Sequence, residues 1–214
     1  MKIVLGMATT NDRLEFAKKA IESIYKQVDT FHLYNNSERE DLTDNAKYYG
    51  LSLHQDEPII YLTADDDIIY PDGYVDSIVN AIDKHGYIVS HHGRILKGLS
   101  KDYYKDHFAV GFFQESRKEC LLDVYGDGVA GFCTSYFNPL EMLTTDTRMM
   151  SDTLVSKMMW EQGKHALLLK HEANWIKQQD VPRKLTISGT RFRRMEEKNR
   201  LANDIWLIKN KSYL

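Results

Sequence analysis

The chain has 214 residues with 43% hydrophobic content, enough to bury a full core in one domain, and 28 Lys plus Arg against 31 Asp plus Glu leave a net charge of -3. That balance excludes a protein held to nucleic acid by a generally basic surface; any polyanionic partner must be met locally. Cys120 and Cys133 show neither zinc-site spacing nor the density of a disulfide scaffold, and no apolar run reaches the length of a signal peptide or membrane span, so the expectation is a soluble, cytoplasmic protein with no transmembrane segment.

In chain order, "KIVLGMA" reads as a strand covered on both faces, ending in the polar cluster "TTND". An amphipathic helix follows, with Leu14, Ala17, Ile21, Ile24 and Val28 on one stripe and Asp12 and Glu15 spaced as a capping box. "TFHLYNN" is a second strand, "DLTDNAKYYG" a short helix, and "PIIYLTA" a third strand running into Asp65, Asp66 and Asp67. Pro71 suits the first turn of a helix carrying Tyr74, Val75, Ile78, Val79 and Ile82, with Gly86 as its C-terminal cap, and "YIVSHH" is the next strand.

The middle is less regular. "HFAVGFF" and "GFCTSYF" read as antiparallel strands around "YGDGVAG". Beyond Ser151 a helix with Leu154, Val155, Met158 and Met159 ends near Gly163, "HALLLKH" is a buried strand, and a last helix runs through "GTRFRRMEEKNRLANDIWLIKN", where Arg193 and Glu197 stand at pairing distance. No repeat or linker interrupts the chain, so one domain over 1–214 is expected.

Three adjacent carboxylates repel, and the bland account of "DDD" is a solvated turn at a helix start. The functional account is a hard-cation site, since Mg²⁺ or Mn²⁺ takes oxygen ligands from one or two carboxylates and leaves positions for phosphates. The place is right for it, because open α/β sheets bind ligands beyond the carboxyl ends of their strands.

The segments "KIVLGMATTNDRLEFAKKAIESIYKQ", "FHLYNNS" and "YLTADDDIIYPDGYVDSIV", and more weakly "MSDTLVSKMMWEQG", resemble the GT-A glycosyltransferases, close to the family 2 pattern with its acidic DxD motif. The resemblance implies a GT-A-like (Rossmann-like) α/β fold, a mixed central sheet flanked by helices. It places the nucleotide-binding half at about 1–90 and the acceptor-side half with the C-terminal helix at about 91–214. It further implies transfer of a sugar from a nucleoside-diphosphate donor, UDP-linked, to a hydroxyl of a glycan or glycoprotein acceptor, with Mn²⁺ or Mg²⁺ as cofactor. So little chain beyond the donor half also fits one domain of a longer multidomain protein.

Carried over residue by residue, Ala8, Thr9, Thr10 and Arg13 fall where the family holds base and ribose, with Asp44 and Lys47 near the same pocket. Measured back from Pro71, the family's first acidic position falls on Ala64, which makes Asp67 the main metal ligand, Asp66 its assistant or a partner standing behind it, and Asp65 a ribose neighbour. His171 stands where a late histidine completes the metal site, and Asp152 where the family has its acceptor-side acid, the base. For each residue a structural account, as cap, ion pair or satisfied histidine, stays open. His92, at another strand end, is taken as a sugar or acceptor contact, Asp127 as a contact to sugar hydroxyls, and Tyr136 or Trp175 as stacking platforms. Arg183, Lys184, Arg191, Arg193 and Arg194 would close over the diphosphate as part of a C-terminal lid, "TISGTRFRR". Two rival functions remain: a sugar-phosphate nucleotidyltransferase, and a non-catalytic module in which the acids merely hold a metal and nucleotide sugar.

Overall fold

The computed structural model describes residues 1–143, 149–186 and 195–211. Its strands are β1 (Ile3–Thr9), β2 (Thr30–Asn35), β3 (Ile60–Asp65), β4 (Ile68–Ile69), β5 (Ile88–Ser90), β6 (Gly93–Leu96), β7 (His107–Val110), β8 (Cys120–Leu122), β9 (Val124–Tyr125), β10 (Val129–Cys133), β11 (Ala166–Leu168) and β12 (Lys177–Gln178). The helices are α1 (Leu14–Ile24), α2 (Tyr74–His85), α3 (Ser151–Glu161) and α4 (Met195–Lys211), and Thr43–Leu53 winds as a 3-10 helix.

Seven strands form one mixed sheet in the order β2-β1-β3-β10-β5-β11-β8. β1 is parallel to both β2 and β3, β10 is antiparallel to β3 and β5, and β11 is parallel to β5. Strands β2, β1, β3, β5 and β11 therefore point their carboxyl ends to one edge, where β10 begins. The chain leaves β1 for β2 on one side and returns to β3 on the other, so the order reverses at β1, the crevice where open α/β sheets take ligands. This is a mixed α/β architecture consistent with a Rossmann-like fold.

Side chains alternate across the strands, and both faces are covered. Leu5, Met7, Ile60, Leu62, Val89 and Val129 pack with Ala20 and Ile24 of α1 and Ile78 and Ile82 of α2. On the other face Val4, Tyr61, Ile88, Ala130 and Phe132 meet Tyr48 and Leu51 of the 3-10 helix and Val155 and Met159 of α3. α4 completes the fold with Ala202 and Ile205 against Leu96, Tyr103 and Val124. Among the described residues no helix is long and apolar enough to cross a membrane.

Local details depart from the sequence reading. The Asp12–Glu15 capping box does not form; Thr10 donates to Asp12 instead, and α1 is entered through a 3-10 turn, Asn11–Arg13. α2 starts three residues after Pro71, its N-cap Gly73 left-handed at φ 77°, whereas Gly86 ends it at φ 65° as expected. Leu14, placed on the buried stripe of α1, is exposed. The pairing of Arg193 with Glu197, like most of the lid segment, lies outside the described residues.

Gly6 brings the 3-10 helix onto the sheet. A Cβ there would stand 2.0 Å from the Lys47 carbonyl oxygen and 2.2 Å from the Tyr61 hydroxyl, which itself donates to that carbonyl at 2.7 Å. Gly6→Ala is expected to lower stability by about 2–3 kcal/mol in urea unfolding, the range for forced overpacking; an unchanged midpoint would mean the contact is slack.

Candidate functional site

The carboxyl edge of the sheet gathers most of the polar residues singled out in the sequence. Ala8 lies in register with Asp65 on one side and Tyr34 on the other. Thr9, buried, donates from Oγ1 to Asp66 Oδ2 at 2.7 Å. Arg13, just beyond β1, donates from Nε to both oxygens of Asp66, at 3.0 and 3.1 Å, and from Nη2 to Asp66 and, at 3.0 Å, to Asp67 Oδ2. Lys47 enters from the opposite face, with Nζ 2.5 Å from Asp65 Oδ1 and 3.3 Å from Asp127 Oδ1.

The three aspartates thus occupy three environments. Asp66 has only 6% of its side chain exposed and both oxygens taken, so it acts as an anchor for Arg13. Asp67, 18% exposed, gives Oδ2 to Arg13. Asp65 is 41% exposed, with Oδ1 on Lys47 and the carboxylate lying over Gly128, where a Cβ would stand 2.0 Å from Oδ2. Of the two roles expected for Asp66, direct ligand or a partner standing behind the ligand, its engagement by Arg13 and Thr9 suits the second.

Charge explains what the cluster still lacks. Burial would discharge Arg13, but Asp66 and Asp67 hold it firmly ionised, and Asp127 and Asp65 do the same for Lys47 against its burial. Four carboxylates nevertheless face two cations. The deficit falls on Asp67, whose carboxyl is pushed above its usual range by burial and by neighbouring Asp65 in spite of Arg13, and on Asp127, pushed up to about 6 mainly by burial.

A second group stands beyond β5. Asp152, the first-turn acid of α3, receives Arg94 Nη1 at 2.8 Å and the Thr153 amide at 2.8 Å. Arg94, and then Lys198 of α4, hold its carboxyl down to about 2 despite burial. His92 donates from Nδ1 to the Val110 carbonyl at 2.7 Å, and its ring lies where a Cβ on Gly126 would be. Burial, reinforced by Arg94, lowers it to about 4, so it is a neutral acceptor at physiological pH.

His171 belongs to a third group. Its Nδ1 donates to the Leu169 carbonyl at 3.0 Å and faces His91 Nδ1 at 3.3 Å, and His91 Nε2 meets Ser77 Oγ at 3.0 Å. The remaining nitrogen, Nε2 of His171, is buried with no partner. Among the described residues no three metal-ligating side chains converge, so Asp66, Asp67 and His171 are not assembled into one cage.

Other expected residues serve packing or capping. Asp44 accepts from the Met149 and Ser151 amides and from Ser151 Oγ, which commits it to the start of α3. Thr10 turns to Asp12. Trp175 packs on His91 and Tyr74, and Tyr136 accepts from the His165 amide. Arg183 and Lys184 are exposed, whereas Arg191, Arg193 and Arg194 lie outside the described residues. Arg94 and Lys198 were missed by sequence reasoning, for neither has any local pattern that marks it as the partner of an acid 58 residues away or of a tyrosine 94 residues away.

No family model matches the chain, and no curated protein matches it either.

The Arg94–Asp152 pair supports a pH prediction. Asp152 ionises well below an unfolded aspartate, so its stabilising contribution is complete above a pH of about 4 and drains away as pH falls toward about 2. Arg94→Met should therefore cost about 2 kcal/mol at pH 7, discounted from a fully buried pair for its partial exposure, with the gap from the wild type closing as pH is lowered through that window. A gap constant from pH 7 to 2 in urea titrations would show that packing alone is lost.

Proposed function

We propose that the chain is a metal-dependent glycosyltransferase of GT-A type that moves a sugar from a UDP-linked donor to a hydroxyl of a glycan or glycoprotein. The observation that carries this reading is the uncompensated negative charge of the Asp65–Asp67 turn, at the carboxyl end of β3 beside the point where strand order reverses. A cluster with surplus carboxylate charge in a ligand-binding crevice suits a divalent cation and the diphosphate it accompanies.

The donor set fits Mn²⁺ or Mg²⁺. Asp67 and Asp65 each keep one oxygen free of Arg13 and Lys47, and hard oxygen ligands are what these ions take. Those two residues would hold the ion, which when bound neutralises charge on the leaving diphosphate as a Lewis acid. The chain's own groups do the rest. Asp66 fixes the guanidinium of Arg13 beside the acidic turn, where its charge offsets part of that of the carboxylates. Ala8 and Thr9, the last residues of β1, and Thr10 after them form the strand end on which base and ribose would rest. Lys47 holds Asp65 in place. His92, kept neutral, can accept a hydroxyl of the sugar or acceptor through Nε2. His171, with Nδ1 committed to a carbonyl, keeps an Nε2 without a partner, the nitrogen through which a histidine of this kind would serve as a ligand.

Calorimetric titration with UDP in Mn²⁺ tests the reading. Asp67→Asn is expected to weaken Mn²⁺-dependent UDP binding by at least about 100-fold, the upper range for disturbed metal sites, while Asp72→Asn, on the loop before α2, leaves it unchanged. Equal binding by the Asp67 variant would remove the acidic turn from the function. Release of pyrophosphate rather than UDP on incubation with nucleotide and sugar substrates would assign the site to nucleotidyl transfer instead.

A further inference from the structure

We propose that Asp127 is the catalytic base that takes the acceptor hydroxyl's proton, and that Asp152 is a positioning residue; this deepens the glycosyl-transfer reading and rests on it.

The choice between the two acids follows from how many donors each already satisfies. Asp152 Oδ2 accepts from Arg94 Nη1 at 2.8 Å and from the Tyr103 hydroxyl at 3.5 Å, and Oδ1 accepts from the Thr153 amide at 2.8 Å and Thr153 Oγ1 at 3.1 Å. Protonating this carboxylate would discard an ion pair and several hydrogen bonds to its charged form. A group so stabilised as an anion is a poor proton acceptor at neutral pH.

Asp127 is the opposite case. Its carboxylate has two long contacts, Lys47 Nζ to Oδ1 and the Tyr48 hydroxyl to Oδ2, both at 3.3 Å. The Tyr48 hydroxyl has another partner in the Tyr125 hydroxyl at 3.2 Å. Facing charges come from every side: Lys47 and Asp44 on the 3-10 helix, Asp65 at the end of β3, and Asp152 on α3, with the phenols of Tyr48 and Tyr125 completing the surroundings. Lys47 and the hydrogen bond from Tyr48 favour the anion; burial and three carboxylates oppose it. The outcome is a carboxyl that ionises at about 6, where a general base is most effective near neutral pH.

Position agrees with this role. Asp127 immediately precedes Gly128 and β10, the strand that lies between β3, which delivers the acidic turn, and β5, which delivers His92. Its glycine neighbours leave room for the Asp65 carboxylate on one side and the His92 ring on the other. Asp127 therefore stands between the donor-side acids and the Arg94–Asp152 pair. In the transfer step the acceptor oxygen bonds to the anomeric carbon as its proton passes to Asp127. The bond from that carbon to the diphosphate oxygen breaks, and its electron pair leaves with the phosphate. Lys47 then neighbours a neutral Asp127 and retains Asp65.

The test uses the full chain with Mn²⁺, UDP-glucose, UDP-galactose and UDP-N-acetylglucosamine as donors, and water as the acceptor, with UDP release as the readout. The expected result is that Asp127→Asn lowers kcat at least about 100-fold with KM for the donor unchanged, and abolishes the rise in rate with pH that ionisation of the base produces. Asp152→Asn should keep that rise. Retention of both rate and pH limb by the Asp127 variant, or their loss in the Asp152 variant alone, overturns the assignment. A second measurement is independent of any donor: carboxyl ¹³C NMR of the free protein, assigned through the same variants, should show Asp127 titrating near 6 while Asp152 stays ionised to far lower pH. Asp127 ionised down to pH 4 would sink the proposal even if UDP and Mn²⁺ bind, whereas failure of UDP binding with the NMR result intact would sink glycosyl transfer and leave the unusual carboxyl standing.

Discussion

Lys47 carries its charge at 4% side-chain exposure, and the arrangement of the site depends on how that charge is shared. An isolated buried ammonium is costly, but here it lies between Asp65, at the end of β3, and Asp127, at the start of β10. One cation thereby ties the 3-10 helix to two neighbouring strands that run in opposite directions. Removing a single partner from such a contact typically costs about 3–5 kcal/mol, because the charge left behind keeps its desolvation penalty. The backbone is shaped for the same contact: Gly6 lets the Lys47 carbonyl sit on the sheet, and Gly128 lets Asp65 lie flat.

Arg13 performs the matching task on the other side of the acidic turn, and it reaches further. Besides Asp66 and Asp67 it donates through Nη1 to the Leu185 carbonyl, and the Gln179 amide donates to the Asp67 carbonyl at 2.8 Å. The acidic turn is thus bound through its side chains to β1 and through its backbone to the segment after β12. Repulsion among three consecutive carboxylates is relieved by division of labour: Asp66 is spent on Arg13, Asp65 on Lys47, and Asp67 is left with the shortfall. A solvated turn would not need to bury one of the three and half-bury the next.

Much of this frame was legible in the sequence. Period-two and continuous apolar runs marked β1, β2, β3, β5 and β11, and helical stripes marked α1, α2 and α3, because those patterns follow directly from which face is buried. The position of β10 was not legible. Five fully buried residues say that a strand is covered on both faces, but not that it inserts antiparallel between β3 and β5. That insertion brings Asp127 to the centre of the edge and turns "GDG" from a plain turn into a place of close packing. Asp44 shows the same limit: an acid expected at the nucleotide loop also has a partner at the start of α3, 107 residues away in sequence. Long-range partners of single polar residues leave no local pattern, so Arg94 for Asp152 and Lys198 for Tyr104 emerge only from the fold.

The two sides of the edge also differ in the sign of their surplus charge. On the β3 side, four carboxylates face Arg13 and Lys47; beyond β5, Arg94 and Lys198 face Asp152. The histidines between them do not blur this division, for burial lowers His91 to about 3 and His92 to about 4 and keeps both uncharged. The positive charge paired with these acids therefore belongs to Lys and Arg, which no physiological pH removes. Proton exchange near neutrality is left to the carboxyls whose charge is least compensated, so the same shortage of cations that would draw a divalent ion into the crevice also leaves a group there able to hold a proton.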